Sequence, residues 1–341
     1  HAEGRAARAA LDRARDRAAA ATGADPGQVV FCSCGTEAIN LALLGAGRRL
    51  GPGSRVVTWA AEHQAVLGAV RQLELEGHPV SILPVDGSAC AIPDLIPDDA
   101  RLISIGLANN EVGTLQPVAE VAARARQLGA AVHLDAAQGP RWCRPPVELV
   151  DLVSFSGHKL GAGRGGLLLA GRAVSMVPLQ FGGPQEWNRR AGREDLHAAT
   201  ALAVALEVCA ARREMESARA APLAGRLAAA VAELGGRPTG AAARLPNLAS
   251  ACFPRVRGED ILLALDLAGV SVSSGSACAS GSLDPSHVLI AAGLSLDQAL
   301  GSLRLSTGYE TTADEIDLAL ARLGTVLGPL AHAGRGAPAR V

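Results

Sequence analysis

The stretch Ser154-Phe155-Ser156-Gly157-His158-Lys159 decides how the rest of the chain is read. It continues from Asp151-Leu152-Val153, a run with the apolar character of a buried strand's end. A lysine directly after a strand end, flanked by Ser and His, is poorly placed for a purely solvated role. An amine held in partly dry surroundings loses its proton more easily and attacks carbonyls, so the position suits a Schiff base with an aldehyde cofactor. An ordinary loop lysine fits the same six residues, and the neighbouring elements have to decide.

Working outward, strand-like and helix-like segments alternate. Residues 5–21 read as an Ala/Arg amphipathic helix stopped near Gly23. Strands are expected at 28–31, 55–58, 80–83, 102–107, 132–134, 151–155 and 166–170, with helices at 36–49, 63–76 and 118–128. This alternation predicts an α/β fold with a mainly parallel sheet between helices, whose ligands sit beyond the carboxyl ends of strands. Asn110, Asp135 and Lys159 each follow such an end. After residue 194 the texture changes to a long Ala-rich helix over 198–234, interrupted near Ala221-Pro222. Strands at 247–253 and 304–306 and helices at 258–267 and 312–330 complete a smaller α+β domain. The expected organisation is a large domain over 1–212, a small C-terminal domain over 213–333 and a frayed tail over 334–341.

Of the 341 residues 49% are hydrophobic and 19% charged, which fits two ordered domains rather than a disordered chain. A formal net charge of −1 and 2% aromatics argue against nucleic acid or an anionic membrane as partner. Seven cysteines, an odd number, do not form a small secreted disulfide framework, and a cytoplasmic location is expected. No apolar run is long enough to span a bilayer. The chain opens at His1 rather than Met, and the expectation is that a segment precedes it.

Cys34-Gly35-Thr36-Glu37 stands between a strand and a helix start, where free N–H groups and a hydroxyl make an anion site; a plain N-cap by Thr36 is the simpler reading. Cys32 and Cys34 lack a second cysteine pair nearby, so a metal is set aside. Gly161-Ala162-Gly163-Arg164-Gly165-Gly166 matches a dinucleotide fingerprint literally. The strand-like Leu167-Leu168-Leu169 follows it, however, where the fingerprint needs a helix, so the glycines are expected to turn the chain tightly. Glu62-His63 opens a helix, and His63 either stacks on a planar ring and relays protons or is merely polar surface. Asp135 follows Val132-His133-Leu134; a carboxylate at that depth needs a cation, which a pyridinium nitrogen supplies, and Gln138 is within reach of the same ring. The small residues of 273–282 leave the thiol of Cys278 accessible, as a nucleophile requires. Arg304, inside a strand-like run, either clamps a carboxylate or makes an internal salt bridge.

In order along the chain, several pieces resemble the cysteine desulfurases, pyridoxal-phosphate enzymes of the aminotransferase class V group. They are Cys34 to Asn40, Glu62-His63, Asn109 to Pro117, His133 to Gln138, Ser154 to Lys159, Gly182 to Glu186, Ser273 to Ser280, and Arg304. The loop around Cys278, with Leu283 to Leu289 after it, is similar to the long-loop first group. The resemblance implies a fold-type I transferase, a seven-stranded-type sheet in the large domain and a homodimer with active sites at the subunit interface. It implies that Lys159 binds pyridoxal phosphate and moves the Cα proton, and that Asp135 pairs with the ring nitrogen. His63 would stack on the ring, with Gln138 and Asn110 near its phenolic oxygen. Gly35, Thr36, Ser156 and His158 would bind the phosphate, and Arg304 with Asn110 the substrate carboxylate. Cys278 would take sulfur from L-cysteine as a persulfide and release alanine, and the sulfur would pass to an iron–sulfur scaffold or another acceptor protein. The alternatives are a sibling acting on selenocysteine or cysteine sulfinate, or a non-catalytic sulfur-assembly partner.

The chain departs from the family pattern in four places. The upstream Asn-Ala-Ala-Thr-like motif has no counterpart. Arg-Ser-Gly-Thr is replaced by Arg190-Ala191-Gly192-Arg193, with Arg193 as a substitute phosphate contact. Gly-Pro-Lys-Gly is replaced by Ala162-Gly163-Arg164-Gly165, and Gly-Arg-Phe by Gly308-Tyr309-Glu310.

Overall fold

Seven short apolar runs of the first 170 residues hydrogen-bond into one sheet. In the computed structural model, which describes residues 1–254, 256–275 and 284–336, they are β1 (Val29–Cys32), β2 (Arg55–Trp59), β3 (Val80–Leu83), β4 (Ala100–Gly106), β5 (Ala131–Asp135), β6 (Leu152–Ser156) and β7 (Gly166–Ala170). Their spatial order is β1-β7-β6-β5-β4-β2-β3. All neighbours pair in parallel except β7, which runs against both β1 and β6. The central strands are buried along nearly their whole length, as parallel strands covered on both faces must be. The mainly parallel seven-stranded sheet expected from the sequence is therefore present.

The reversal of β7 is made possible by the glycines before it. Gly161, Gly163 and Gly165 all have positive φ (87°, 72° and 129°), which side chains with a Cβ rarely adopt. The turn runs into a strand and not a helix, so the literal dinucleotide fingerprint has no structural counterpart.

The helices up to the end of this sheet are α1 (Ala2–Thr22), α2 (Gly35–Leu50), α3 (Gln64–Leu75), α4 (Val118–Leu128) and the four-residue α5 (Gly157–Leu160). A short distorted turn, α6 (Gln185–Asn188), precedes the long α7 (Leu196–Glu233). Helix α2 is packed hardest into the core: Ala38, Ile39, Leu41, Ala42 and Leu43 are at most 2% exposed and meet Leu102, Leu152 and Leu168 of the sheet. Its N-terminus is thereby fixed against the ends of β1 and β6.

The chain divides into two compact units. The first comprises residues 1–84, 91–108 and 116–213; the second comprises 85–90, 109–115 and 214 onward. In the second, β8 (Arg237–Pro238), β9 (Leu248–Cys252) and β10 (Ser302–Ser306) form an antiparallel sheet in the order β10-β9-β8. Helices α8 (Gly258–Leu267) and α11 (Ala313–Gly336) supply Ile261, Leu265, Ile316, Leu323 and Leu327 to a core against Ala249, Ala251, Leu303 and Leu305. Helices α9 (His287–Ala291) and α10 (Leu296–Leu300) lead into β10.

The interruption expected at Ala221-Pro222 does not end the helix: α7 continues through Pro222. A proline inside a helix costs about 3 kcal/mol. Burial of Ala220, Leu223, Ala224 and Leu227 around it offsets that cost. No helix among the described residues is long and apolar enough to cross a membrane.

Candidate active site

In the first unit, three strand ends supply the polar groups. Beyond β1, Cys34 is the N-cap of α2; its Sγ accepts the Glu37 N–H at 3.4 Å. The cap is therefore Cys34 rather than Thr36, because the extended backbone at Cys34 (φ −165°, ψ 170°) aims the thiol back at the first turn. The N–H groups of Gly35 and Thr36 have no acceptor among the described residues. They are the free donors an anion needs at a helix start. Glu37 is occupied otherwise: its carboxylate accepts from Arg190 (2.9 Å) and from the Ser33 N–H (2.6 Å). Burial raises its pKa, but these donors outweigh burial and hold it below the ordinary value.

Ser156, at the end of β6, closes the cradle. Its Oγ lies 3.0 Å from His158 Nδ1. A Cβ on Gly35 would stand 2.8 Å from Ser156 Cβ and 3.0 Å from its Oγ, so only glycine lets the helix start approach this strand. Burial and the neighbouring Lys159 charge both lower the pKa of His158. Gly35→Ala is expected to destabilise the protein by about 1–3 kcal/mol through overpacking. It is also expected to weaken phosphate-dependent cofactor retention, read as a lower melting temperature and as cofactor lost on dialysis.

Lys159 is on the last turn of α5, in the predicted sequence position. Its side chain is exposed. The partly dry surroundings expected for it are not provided by packing of the chain around it, because α5 is only four residues long and leaves its side chains at 158 and 159 uncovered.

Asp135 ends β5 and is 7% exposed. Ala137 N–H and Ser154 Oγ–H both donate to its Oδ1, at 2.9 and 3.5 Å. Burial nonetheless raises its pKa, and the Ala137 N–H, the neighbouring His63 and the Ser154 hydroxyl counter the rise only in part. The carboxylate therefore calls for a cationic partner of a kind that a protonated ring nitrogen supplies. His63 is the N-cap of α3; its Nδ1 accepts the Ala65 N–H at 3.1 Å, which reserves Nε2 for a proton. Gln138 is half-buried on the loop after β5.

In the sequence, Glu62 stands out only as the neighbour of His63. The structure gives it a distinct character. Glu62 is buried, accepts the Gly106 N–H at 2.9 Å, and is pushed up to about 8 by burial, with the Asp135 charge adding to the rise. Folded protein therefore keeps a proton that the unfolded chain releases near 4.5. Its contribution to stability is complete below pH 4.5 and is lost as the pH climbs toward 8. Glu62→Gln is expected to flatten the fall in melting temperature of the cofactor-free protein over that window; an unchanged slope would remove Glu62 from the account.

In the second unit, Arg304 of β10 donates from Nη1 to the Asn110 carbonyl at 2.8 Å, and its backbone pairs with Ser273. The structure thus brings Arg304 and Asn110 together. Glu111, next to Asn110, accepts from Ser286 Oγ and is 6% exposed. Burial pushes it up to about 7, against the pull of Ser286 and Arg304. Ser286 and Gly275, whose N–H donates to Ser302 Oγ at 3.0 Å, flank the segment containing Cys278. Cys278 itself lies outside the described residues. The sequence alone does not mark Glu62, Glu111 and the buried His133, because their burial depends on strands distant in sequence. The only signal for Glu111 was its place within Asn109-Asn110-Glu111.

The first unit therefore holds an anion cradle, a buried acid in want of a cation, and an exposed amine. This donor set fits a phosphate-bearing aldehyde with a basic ring. The family model for aminotransferase class-V matches residues 1–319. The chain is 38% identical to cysteine desulfurase IscS of Methanosarcina thermophila, over 93% of this chain and 81% of that protein. It is 39% identical to the IscS-like cysteine desulfurase of Mycobacterium tuberculosis, over 99% of this chain and 90% of that protein. Among solved structures, a NifS-like protein superimposes with a TM-score of 0.88 at 30% identity, covering 96% of this chain and 90% of that one. SspA, solved in complex with cysteine, superimposes with a TM-score of 0.77 at 29% identity, covering 92% and 90%. The family match over residues 1–319 and these identities over almost the whole length place the chain in the aminotransferase class-V family, among its pyridoxal-phosphate-dependent cysteine desulfurases.

Proposed function

We propose that the chain removes sulfur from L-cysteine, releases L-alanine and carries the sulfur as a persulfide on Cys278. The substrate C–S bond breaks and an S–S bond forms on the enzyme. Protons from the two thiols and the Cα position are redistributed between alanine and the persulfide, so no outside oxidant or reductant is required. Pyridoxal phosphate, when bound, supplies an electron sink for the pair left on Cα when its proton departs.

The other roles belong to the chain. Lys159 would anchor the cofactor and move the Cα proton. Gly35, Thr36, Ser156 and His158 would hold its phosphate, and Asp135 its ring nitrogen. His63 would stack on the ring and pass protons through Nε2, with Gln138 and Asn110 serving its phenolic oxygen. Arg304, already oriented by the Asn110 carbonyl, takes the substrate carboxylate. The observation that carries this reading is the buried Asp135 carboxylate in the same unit as the Gly35–Ser156 cradle and Lys159. A carboxylate so placed suits an electron-sink cofactor and has no evident purpose without one.

The reading extends to a homodimer, supported by large apolar side chains left in water on the first unit, among them Phe181 at 78% exposed. It includes a large cofactor domain over 1–212 and a small domain over 213–333 bearing Cys278 and Arg304. The persulfide is passed to an acceptor protein, such as an iron–sulfur scaffold, in the cytoplasm, where the free thiols of the chain stay reduced.

Full-length protein loaded with cofactor and given L-cysteine should release alanine and gain one sulfur atom on Cys278, mapped by mass spectrometry. Alanine formed only from cysteine sulfinate or selenocysteine would move the assignment to the sibling reaction. No alanine from any of the three would overturn it in favour of a non-catalytic partner.

A further inference from the structure

A line of buried polar side chains crosses the sheet behind Asp135, and none of them has a role in the reaction described so far. Ser104 on β4 pairs with His133 on β5, and Asp135 pairs with Ser154 on β6. His133 and Asp135 are two residues apart on one strand and so share a face. Ser104, His133 and Ser154 are all 0% exposed. Ser104 Oγ lies 2.9 Å from His133 Nδ1, and His133 Nε2 lies 3.1 Å from Ser154 Oγ. Ser154 Oγ–H then reaches Asp135 Oδ1 at 3.5 Å. That last link is long, as active-site hydrogen bonds commonly are before the ligand is bound.

The direction of each bond follows from counting protons. Ionised, the Asp135 carboxylate can only accept, so the single proton of Ser154 goes to its Oδ1. The Ser154 oxygen must then accept from His133 Nε2, which therefore carries hydrogen. Burial holds His133 down to about 3, so the ring is neutral and Nδ1 is bare. Nδ1 accepts the Ser104 hydroxyl. Every donor in the line points toward Asp135. A charged imidazole is excluded by burial, and the opposite tautomer would leave Ser154 facing a bare nitrogen on one side and a carboxylate on the other, with one proton for both.

We propose that His133 is a positioning residue: a neutral ring in the Nε2–H form that aims the Ser154 hydroxyl at Asp135, so that this buried carboxylate stays ionised for the cofactor's ring nitrogen. The meaning of the ionised state rests on the function proposed above; the tautomer and the hydrogen-bond direction do not. The titratable groups on other elements that interact electrostatically with Asp135 are Glu62 and His63, both in the loop before α3 and outside this line.

The test uses full-length protein labelled with ¹⁵N-histidine, without and with added pyridoxal phosphate. One histidine should show the Nε2–H pattern and not titrate between about pH 5 and pH 9. Loss of that signal in His133→Gln assigns it; should this variant not fold, a shift of the signal in Ser104→Ala does so. In Ser154→Ala the cofactor dissociation constant should rise about tenfold, the effect of one hydrogen bond to a charged group, and the visible band should shift. Ser154→Thr should restore both. An Nδ1–H pattern, titration within that range, or Ser154→Ala with unchanged cofactor binding and spectrum would overturn the proposal. The histidine pattern needs no turnover, so a protein that makes no alanine yet shows Nε2–H refutes the function and leaves this inference standing.

Discussion

Lys159→Ala is expected to lower turnover of L-cysteine by about 10⁴-fold or more. That is the upper range for loss of one proton-transferring group, and here the same amine also anchors the cofactor covalently. The side chain is exposed on the four-residue α5, so its removal leaves no cavity and the melting temperature of the cofactor-free protein should not move. The phosphate cradle at Gly35 and Ser156 and the carboxylate of Asp135 remain, so the variant should still take up pyridoxal phosphate, though it should release it on dialysis. Borohydride should fix the cofactor's mass on Lys159 in the native protein and on no residue in the variant. Exchange of the substrate Cα proton with deuterated water should stop. Normal turnover in this variant would sink the mechanism.

The position of Lys159 was legible because the strand before it and the glycines after it are local features. Its exposure was not, because how much covers a side chain depends on elements distant in sequence. The same division holds elsewhere. The strand at 80–83 and the helices at 118–128 and 258–267 have the boundaries their apolar periodicity predicts. The strand order β1-β7-β6-β5-β4-β2-β3 was beyond reach of that periodicity, since parallel pairing is set by contacts far apart in the chain. Local propensity at Pro222 predicts a break, whereas burial of the residues around it keeps α7 continuous. Residue type alone favours Thr36 as the N-cap, but the backbone at Cys34 gives the role to a thiol. His133 shows the limit most clearly. A histidine in an apolar strand is unremarkable until Ser104 and Ser154 are known to be its neighbours on either side.

Cys278→Ala should leave the protein coloured and folded and lower sulfide release by a factor on the order of 10³ or more, as loss of a covalent nucleophile does. Sulfur transfer needs a thiolate, and Cys32, Cys34, Cys143 and Cys252 compete poorly. Burial pushes Cys32 well above its ordinary value and pushes Cys143 and Cys252 up to about 11. At pH 8 about one in a thousand of the latter two is ionised. Cys34 is exposed, but its sulfur is engaged as the cap of α2. Cys278 has only small sequence neighbours, Ala277, Ala279 and Ser280. Lys159 is intact in this variant, so Cα proton exchange in deuterated water should continue while alanine formation stops. That combination separates the two steps: Lys159→Ala loses exchange and sulfur transfer together, and Cys278→Ala loses only the second. Sulfide release at the native rate from Cys278→Ala would show that another group accepts the sulfur, and the persulfide assignment would fall with it.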